Sequence, residues 1–280
     1  MNLFTTFIPL ALLLSALTCH TTEQPALVPT AQAQRLRTEM LTRYLPAKLV
    51  VSNGGIALPD YTHEGVVFKA VSQVKTVYTY DSQGRLLTET FSEPFRPTDP
   101  YGYNYTRRHT YAGNQLTTET VNPSGKVLAT IRYQLNNQGY VVSDLGDPNQ
   151  QWVYDAEHYL LRRNTIEQVF TGGNRVRQTN FNKDVTEYTY DLTQPNPIIN
   201  PSEYYWGKSD RNRLMSSVVR MGSPTSLLES VQTSYTYKVS AQNQANRRIA
   251  WQVSKPVTGY TMAEGQADNQ QLEITDYEYE

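Results

Sequence analysis

Cysteine is nearly absent: Cys19 is the only one in 280 residues. A disulfide framework and a thiolate zinc site are both excluded, since each needs more than one. Histidine is scarce, with His20, His63, His109 and His158 as the full set. No Gly-x-Ser-x-Gly occurs either, so nucleophilic catalysis of the usual kinds has little to be built from. No run of one charge sign appears. The 25 basic and 26 acidic residues leave a formal net charge of -1, which gives no electrostatic footprint for nucleic acid. No apolar stretch reaches the roughly 20 residues that a membrane-crossing helix needs. Phenylalanine is rare beside tyrosine, 7 against 21. Much of the apolar bulk therefore carries a hydroxyl, and a buried tyrosine must find that hydroxyl a partner. The expectation is a thin, half-wet core and not a thick Leu-packed one.

What is present begins with a leader. Leu10–Leu17 is a short apolar run of signal-peptide length, followed at once by Thr18 and Cys19. Ala16-Leu17-Thr18-Cys19 resembles a lipobox, although Leu17 stands two and not three positions before the cysteine. The resemblance implies cleavage before Cys19 and lipid attachment there. An ordinary secretory signal is the alternative. Several acyl chains, at about 0.8 kcal/mol per buried methylene, hold a domain stably on a membrane. His20 stands where inner-membrane retention usually takes Asp, and that analogy points to the outer membrane. The organisation expected is a signal peptide at 1–18, a lipidated tether at 19–33 with Pro25 and Pro29, and a single β domain at 34–280.

Within that domain Leu36, Met40, Leu41 and Tyr44 fall at near-helical spacing, which predicts a short N-terminal helix ended by Pro46. The rest reads as strand. Tyr101, Tyr103, Tyr105, Arg107, His109 and Tyr111 share one face of an extended chain, and small or polar residues share the other. Pairs of this kind recur. Tyr78-Thr-Tyr80 leads into Asp81-Ser-Gln-Gly84-Arg85-Leu86, and Tyr133, Tyr154, Tyr190, Tyr237 and Tyr279 head or close similar units. Second tyrosines at 80, 111, 133 and 154 are 31, 22 and 21 residues apart, which fits a unit of about 20 residues with some lengthened. Each unit reads as an aromatic strand, an Asx-Gly turn and a returning Leu-Thr-Glu-type strand, a β-hairpin. In the last strand, Leu272 and Ile274 lie on the face opposite Tyr277 and Tyr279. A β-bulge between them is expected, and the acidic alternation there predicts a charge-protected edge strand.

Tyr-x-Tyr-Asp-x-x-Gly-x-Leu resembles the YD repeat of bacterial RHS-type wall proteins and teneurins. With Asn196-Pro197, Tyr204-Tyr205-Trp206-Gly207-Lys208-Ser209-Asp210-Arg211-Asn212 and Tyr235-Thr-Tyr237, the mature chain also resembles a family of exported bacterial lipoproteins. The resemblance covers about Val71 to Glu280. It implies an antiparallel, porin-like or half-barrel sheet and supplies no activity. The fold class expected is all-β: a meander of YD-like hairpins in one curved sheet or half-barrel, with the short N-terminal helix.

Chemistry is thin. Asp60, His63 and Glu64 offer possible metal ligands within five residues, but no second cluster joins them. Asp144, Asp147 and Asp155 lack a calcium-loop pattern. Gly172-Gly173-Asn174 reads as a tight turn and not a phosphate loop. No metal, cofactor or catalytic residue is expected. The strongest candidate is the aromatic surface, with Tyr101, Tyr103 and Tyr105 offered for ligand binding. The alternative is that the tyrosine face is simply the core side of the sheet. The expectation is a non-enzymatic outer-membrane lipoprotein, a binding or scaffolding module for a glycan or another envelope protein. A carbohydrate-active hydrolase with dispersed carboxylates, and an RHS-type structural shell, are the rivals.

Overall fold

The computed structural model describes residues 35–47, 58–93, 104–223, 226–256 and 270–279. Cys19, Tyr101 and Tyr103 lie outside them, as do the leader and tether. The described residues form one antiparallel sheet of 17 strands with a single helical turn, α1, at Glu203–Trp206. Apart from β2 (Tyr61–His63), each strand from β3 (Val66–Tyr80) to β17 (Gln270–Tyr279) follows its predecessor in the sheet, as a meander. Among them are β4 (Leu86–Ser92), β5 (Tyr105–Ala112), β6 (Gln115–Val121) and β7 (Val127–Leu135), then β10 (Leu160–Arg163), β11 (Ile166–Thr171), β12 (Asn174–Thr179) and β15 (Ser226–Val239). β1 (Leu36–Pro46) then pairs β17 along one edge and β3 along the other. The result is a nearly closed barrel of 16 strands. Its thinnest seam lies between β8 (Val141–Asp144) and β9 (Trp152–Tyr154), held by the Ser143–Gln151 bridge and one flanking bond from the Asp144 N–H to the Gln150 carbonyl.

Four expectations fail here, all through closure of the sheet. The predicted N-terminal helix is strand β1. Met40 and Tyr44 fit a period of two as well as one of 3.6, while a register shift between Leu36 and Thr38 turns Leu36 to the inner face. The two open edges of β3 and β17 supply tertiary hydrogen bonds that settle the choice. The sheet is not a half-barrel, because β1 closes it. Nor is β17 an edge strand, since it pairs on both sides. Glu273 and Asp276 are matched across the ladder by Arg43 (3.0 Å) and Arg247. The expected bulge inside β17 is also missing, because its register with β16 (Ala245–Pro256) is continuous from Gln270 to Asp276. Both faces of β17 are covered instead. Tyr277 belongs to the cluster formed by the repeat tyrosines. Leu272 and Ile274 pack on the opposite face with Tyr44, Phe68 and Trp251.

The hairpin turns repeat one geometry. At Asp81, Asn122, Asn136, Asp155, Asn180 and Ser240 the leading residue's amide bonds the carbonyl four residues on, and its carbonyl takes the amide three residues on. Its side-chain oxygen accepts from the amide four residues on, and at most of these turns also from the amide two on. The fourth position needs positive φ. Glycine fills it at Gly84, Gly125 and Gly139, while His158, Lys183 and Asn243 hold it at φ 73, 68 and 59. The strand order puts the Asp81, Asn136, Asp155 and Ser240 turns at one end of the barrel and the Asn122 and Asn180 turns at the other.

The repeat tyrosines form the inner layer. The second tyrosine of a unit donates its hydroxyl to a carbonyl early in a neighbouring strand: Tyr80 to Leu36 (2.8 Å), Tyr111 to Leu86 (3.2 Å), Tyr190 to Arg175 (2.9 Å) and Tyr279 to Ala245 (3.0 Å). Each such bond contributes about 1 kcal/mol net and resolves the hydroxyl demand of a tyrosine-rich core. Leu36, Leu86, Leu116, Leu135 and Val141 fill the space between the rings.

The opposite face points outward and, away from the apolar patch of Tyr44, Phe68, Leu272, Ile274 and Trp251, carries polar and charged rows. Register places Thr88, Arg108, Glu119 and Thr130 in one cross-strand row there. Further round, Glu187 pairs with Arg220 and Arg247 with Asp276. Arg or Lys on a lipid-facing barrel wall costs about 2–4 kcal/mol at the bilayer midplane. This wall carries several in mid-strand, so it is built to meet water.

Candidate functional site

The segment between β13 (Val185–Pro195) and β14 (Asn212–Ser223) enters the barrel. Its neck is pinched where the Asn196 amide donates to the Arg211 carbonyl (2.9 Å) and the Asn196 side chain to the Asp210 carbonyl (3.0 Å). Beyond the neck it touches wall after wall. Lys208 N–H donates to His158 O, Arg211 N–H to Gly173 O, and the Pro197 carbonyl accepts from Ala245 N–H. Trp206 packs on Tyr133 and Trp152 at 5.9 and 5.8 Å, under the Arg163 guanidinium at 4.8 Å. Contacts on β7, β9, β10 and β16, with the β9–β10 and β11–β12 turns, are possible together only from inside the ring. Residues 196–211 are a plug, and they close the end that holds the Asp81, Asn136, Asp155 and Ser240 turns.

Gly207 shows how tightly the plug is seated. It stands at φ 92, and a Cβ there would meet the His158 carbonyl and a Tyr154 ring carbon, each at 2.8 Å. Only glycine fits.

Under the plug lies a buried polar cluster. His109 Nε2 is 3.0 Å from Glu89 Oε1, and His109 Nδ1 is 3.1 Å from Thr118 Oγ1. Arg107 Nη1 donates to Glu89 Oε2 at 3.4 Å, and the Tyr205 hydroxyl to Oε1 at 3.4 Å. Burial pushes the Glu89 carboxyl up, but the hydrogen bond and charge of His109, with Arg107 behind them, outweigh it and hold it below the ordinary value. Tyr205 is pushed well above the ordinary tyrosine range by burial first and by the Glu89 charge second. Glu89 is thus an ionised acceptor tying wall to plug, with His109 as its donor.

Two cavities inside the barrel are lined by described residues. One of about 260 Å³ lies against β1, β3 and β4, lined by Glu39, Leu41, Arg43, Thr76, Tyr78 and Phe91. Tyr78 donates to Glu39 there at 3.0 Å. The other, of about 320 Å³, lies between the plug and the wall formed by β10–β12 and β14–β16. Arg175, Arg248, Trp206, Lys208, Asp210 and Tyr237 are among its lining residues.

Of the residues offered from sequence, only Tyr105 is described. It stacks on Phe91 with centroids 4.6 Å apart, and the Arg107 guanidinium covers both rings. His63 packs edge-on against Trp251 at 5.1 Å, which engages it in the outer apolar cluster. Asp144, Asp147 and Asp155 accept backbone amides in their own turns. Among the described residues no three His, Cys, Asp or Glu side chains converge as a metal site would. Gly172 and Gly173, at φ 59 and 82, form the tight β11–β12 turn that the sequence suggested. Sequence reasoning missed the Glu89–His109 pair and the inward path of Tyr205-Trp206. The available signal was an aromatic Tyr-Tyr-Trp set inside a Pro- and Asn-rich stretch, where a surface loop would be polar.

One solved structure bears on the architecture. A crystal structure of a porin-like protein from Bacteroides uniformis is similar over 88% of this chain and 98% of that one, with a TM-score of 0.54 and 14% identity. The fold is porin-like. A porin-like protein from Bacteroides vulgatus aligns over 89% and 99% of the two chains at 8% identity, but with a TM-score of 0.26. The TcdB2-TccC3-TEV structure aligns over 85% of this chain and 10% of that one, at 12% identity and a TM-score of 0.20. Neither of these two bears on the fold. No family model and no curated protein matches the sequence.

Proposed function

We propose that this chain is a non-enzymatic envelope lipoprotein, held at the outer membrane through lipid on Cys19, whose barrel is a water-facing binding or scaffolding module. The observation that carries the reading is the pairing of a polar outer wall with a lumen stoppered by the chain's own residues 196–211. A channel needs the reverse: an apolar outer band and an open, polar interior. A shell for cargo needs an empty interior. The lumen here is filled by Trp206, Tyr205 and the repeat tyrosines. A YD-like repeat accounts for the recurring Asx turns and tyrosine-to-carbonyl bonds. The partner class suited to the exposed, neutral-to-polar surface is a glycan or another envelope protein.

Glu89, the most enclosed carboxylate of the lumen, is spoken for by His109, Arg107 and Tyr205, which favours a structural role over acid catalysis.

The test has three arms. Labelled palmitate should enter the wild-type chain and not Cys19→Ser, which should leave the membrane fraction. The purified domain should raise no conductance across a planar bilayer. A glycan array and an envelope pull-down should each be run on the domain, and at least one should return a specific ligand. A chain that stays membrane-bound without Cys19, or one that conducts ions, overturns the proposal.

A further inference from the structure

The cavity between plug and wall has an unbalanced charge. Arg175, Lys208 and Arg248 line it, against one carboxylate, Asp210. Asp210 is already committed: Oδ1 accepts the Arg175 backbone amide at 2.8 Å, and Oδ2 lies 3.9 Å from the Arg175 guanidinium. Neither Arg248 nor Lys208 pairs with a carboxylate among the described residues. Lys208 lies only over the Tyr159 ring, at 5.7 Å. Arg248 lies over Tyr235 at 5.9 Å and makes one long bond to Thr275, at 3.4 Å. The Nε atoms of both Arg175 and Arg248 are buried with no acceptor. A buried guanidinium donor without an acceptor is costly, because the desolvation of a charged group is left uncompensated. Arg175 gives Nη1 to Gln168 and Gln178 at 3.2 and 3.1 Å, so the Arg248 guanidinium and the Lys208 ammonium are the cations at this cavity that no carboxylate balances.

Resting on the binding-module reading above, we propose that this cavity is the ligand site and that it takes a small sugar acid, one ring bearing a carboxylate. The guanidinium fork matches a carboxylate in two parallel bonds. The Trp206 and Tyr237 rings, with Phe170 and Leu214, give the apolar wall that a sugar face stacks on and that inorganic phosphate would leave unused. Gln168, Asn200 and Ser209 bring uncharged polar groups for ring hydroxyls. At about 320 Å³ the space stands at the low end of the roughly 300–1,000 Å³ range of ligand pockets, which suits one ring and not a chain of them.

Isothermal titration of the domain with glucuronate, galacturonate and N-acetylneuraminate, beside glucose and inorganic phosphate, tests this. At least one acid should bind saturably, at least tenfold tighter than glucose or phosphate. Arg248→Gln and Lys208→Gln should each weaken it at least tenfold, and Arg220→Gln, on the outer wall, should not. Lys208 lies on the plug, so its variant reads the site even if Arg248→Gln misfolds. No acid binding, equal binding of phosphate, or binding indifferent to both substitutions overturns the assignment. A chain that passes the lipidation and conductance arms and finds a neutral ligand on the array, yet ignores all three acids, loses this cavity alone. One that binds nothing in any assay loses the binding reading itself.

Discussion

Glu89 on β4 and His109 on β5 meet at 3.0 Å beneath the plug, both buried, and Tyr205 of the plug closes over the pair with its hydroxyl 3.4 Å from the same carboxylate oxygen. The Glu89 carboxyl is held below its ordinary value of about 4.3, so the fold stabilises the ionised form. That stability is complete above about pH 4.5 and is lost as pH falls through the folded value. Glu89→Gln should therefore lower stability at pH 7 by about 3 kcal/mol, by leaving His109 and Arg107 without their anion. Thermal melts from pH 7 down to pH 3 should show the gap to wild type closing below about pH 4. A constant gap across that range would remove the carboxylate from the account.

The tyrosine-to-carbonyl bonds give a second measurement. Tyr80→Phe deletes only the hydroxyl that reaches the Leu36 carbonyl. This bond ties β3 to the first residue of the closing strand. A loss of roughly 1 kcal/mol is expected, read by urea titration. The same change at Tyr204, half-exposed at 40%, should cost nothing measurable.

The turn geometry predicts a gain. Lys183 holds positive φ in the Asn180 turn, where three sister turns use glycine. Lys183→Gly removes the Cβ strain of about 1–2 kcal/mol and returns part of it as unfolded-state entropy. A net stabilisation of about 0.5–1 kcal/mol should appear in the melting temperature.

How much of this was legible beforehand follows the range of the interactions. The period-two tyrosines and the Asx-x-x-Gly turns are encoded within a few residues, and the hairpins come out as the pattern implies. The inward direction of the aromatic face follows from the same alternation, since its other side is Thr, Arg and Glu. Closure is different. Arg43 and Glu273 meet across 230 residues of sequence, and nothing near Leu36 announces that β3 and β17 will both be waiting for a strand. A segment whose apolar residues fit two periods is then assigned by its partners and not by itself. The mistaken edge strand has the same origin, because acidic alternation in β17 reads as protection until Arg43 and Arg247 are placed opposite it. The plug was visible as an aromatic insertion, but its depth depends on Gly207 meeting His158 and Tyr154, a contact across unrelated hairpins. Ligation of Glu89 by His109 joins two strands, each with an ordinary repeat pattern, and the repeat does not distinguish that pair from its siblings.

Gly207 allows the plug itself to be tested. With φ at 92 and two atoms waiting at 2.8 Å, one of them the rigid His158 carbonyl, Gly207→Ala can fit only if the segment backs out of its seat. Left-handed strain and overpacking together amount to about 3 kcal/mol. If the plug is an integral part of the core, the variant should melt lower as a single transition. If it is a separable stopper, the barrel ladder should survive while Trp152 and Trp206 part from their 5.8 Å contact, changing tryptophan fluorescence with little loss of strand signal in circular dichroism. The bonds from the plug to His158, Gly173 and Ala245 are local to one end, whereas the ladder runs round the whole ring. The second outcome is therefore expected: fluorescence shifts first, and global unfolding follows at higher denaturant. Coincident transitions in both probes would show instead that the barrel cannot stand without its plug.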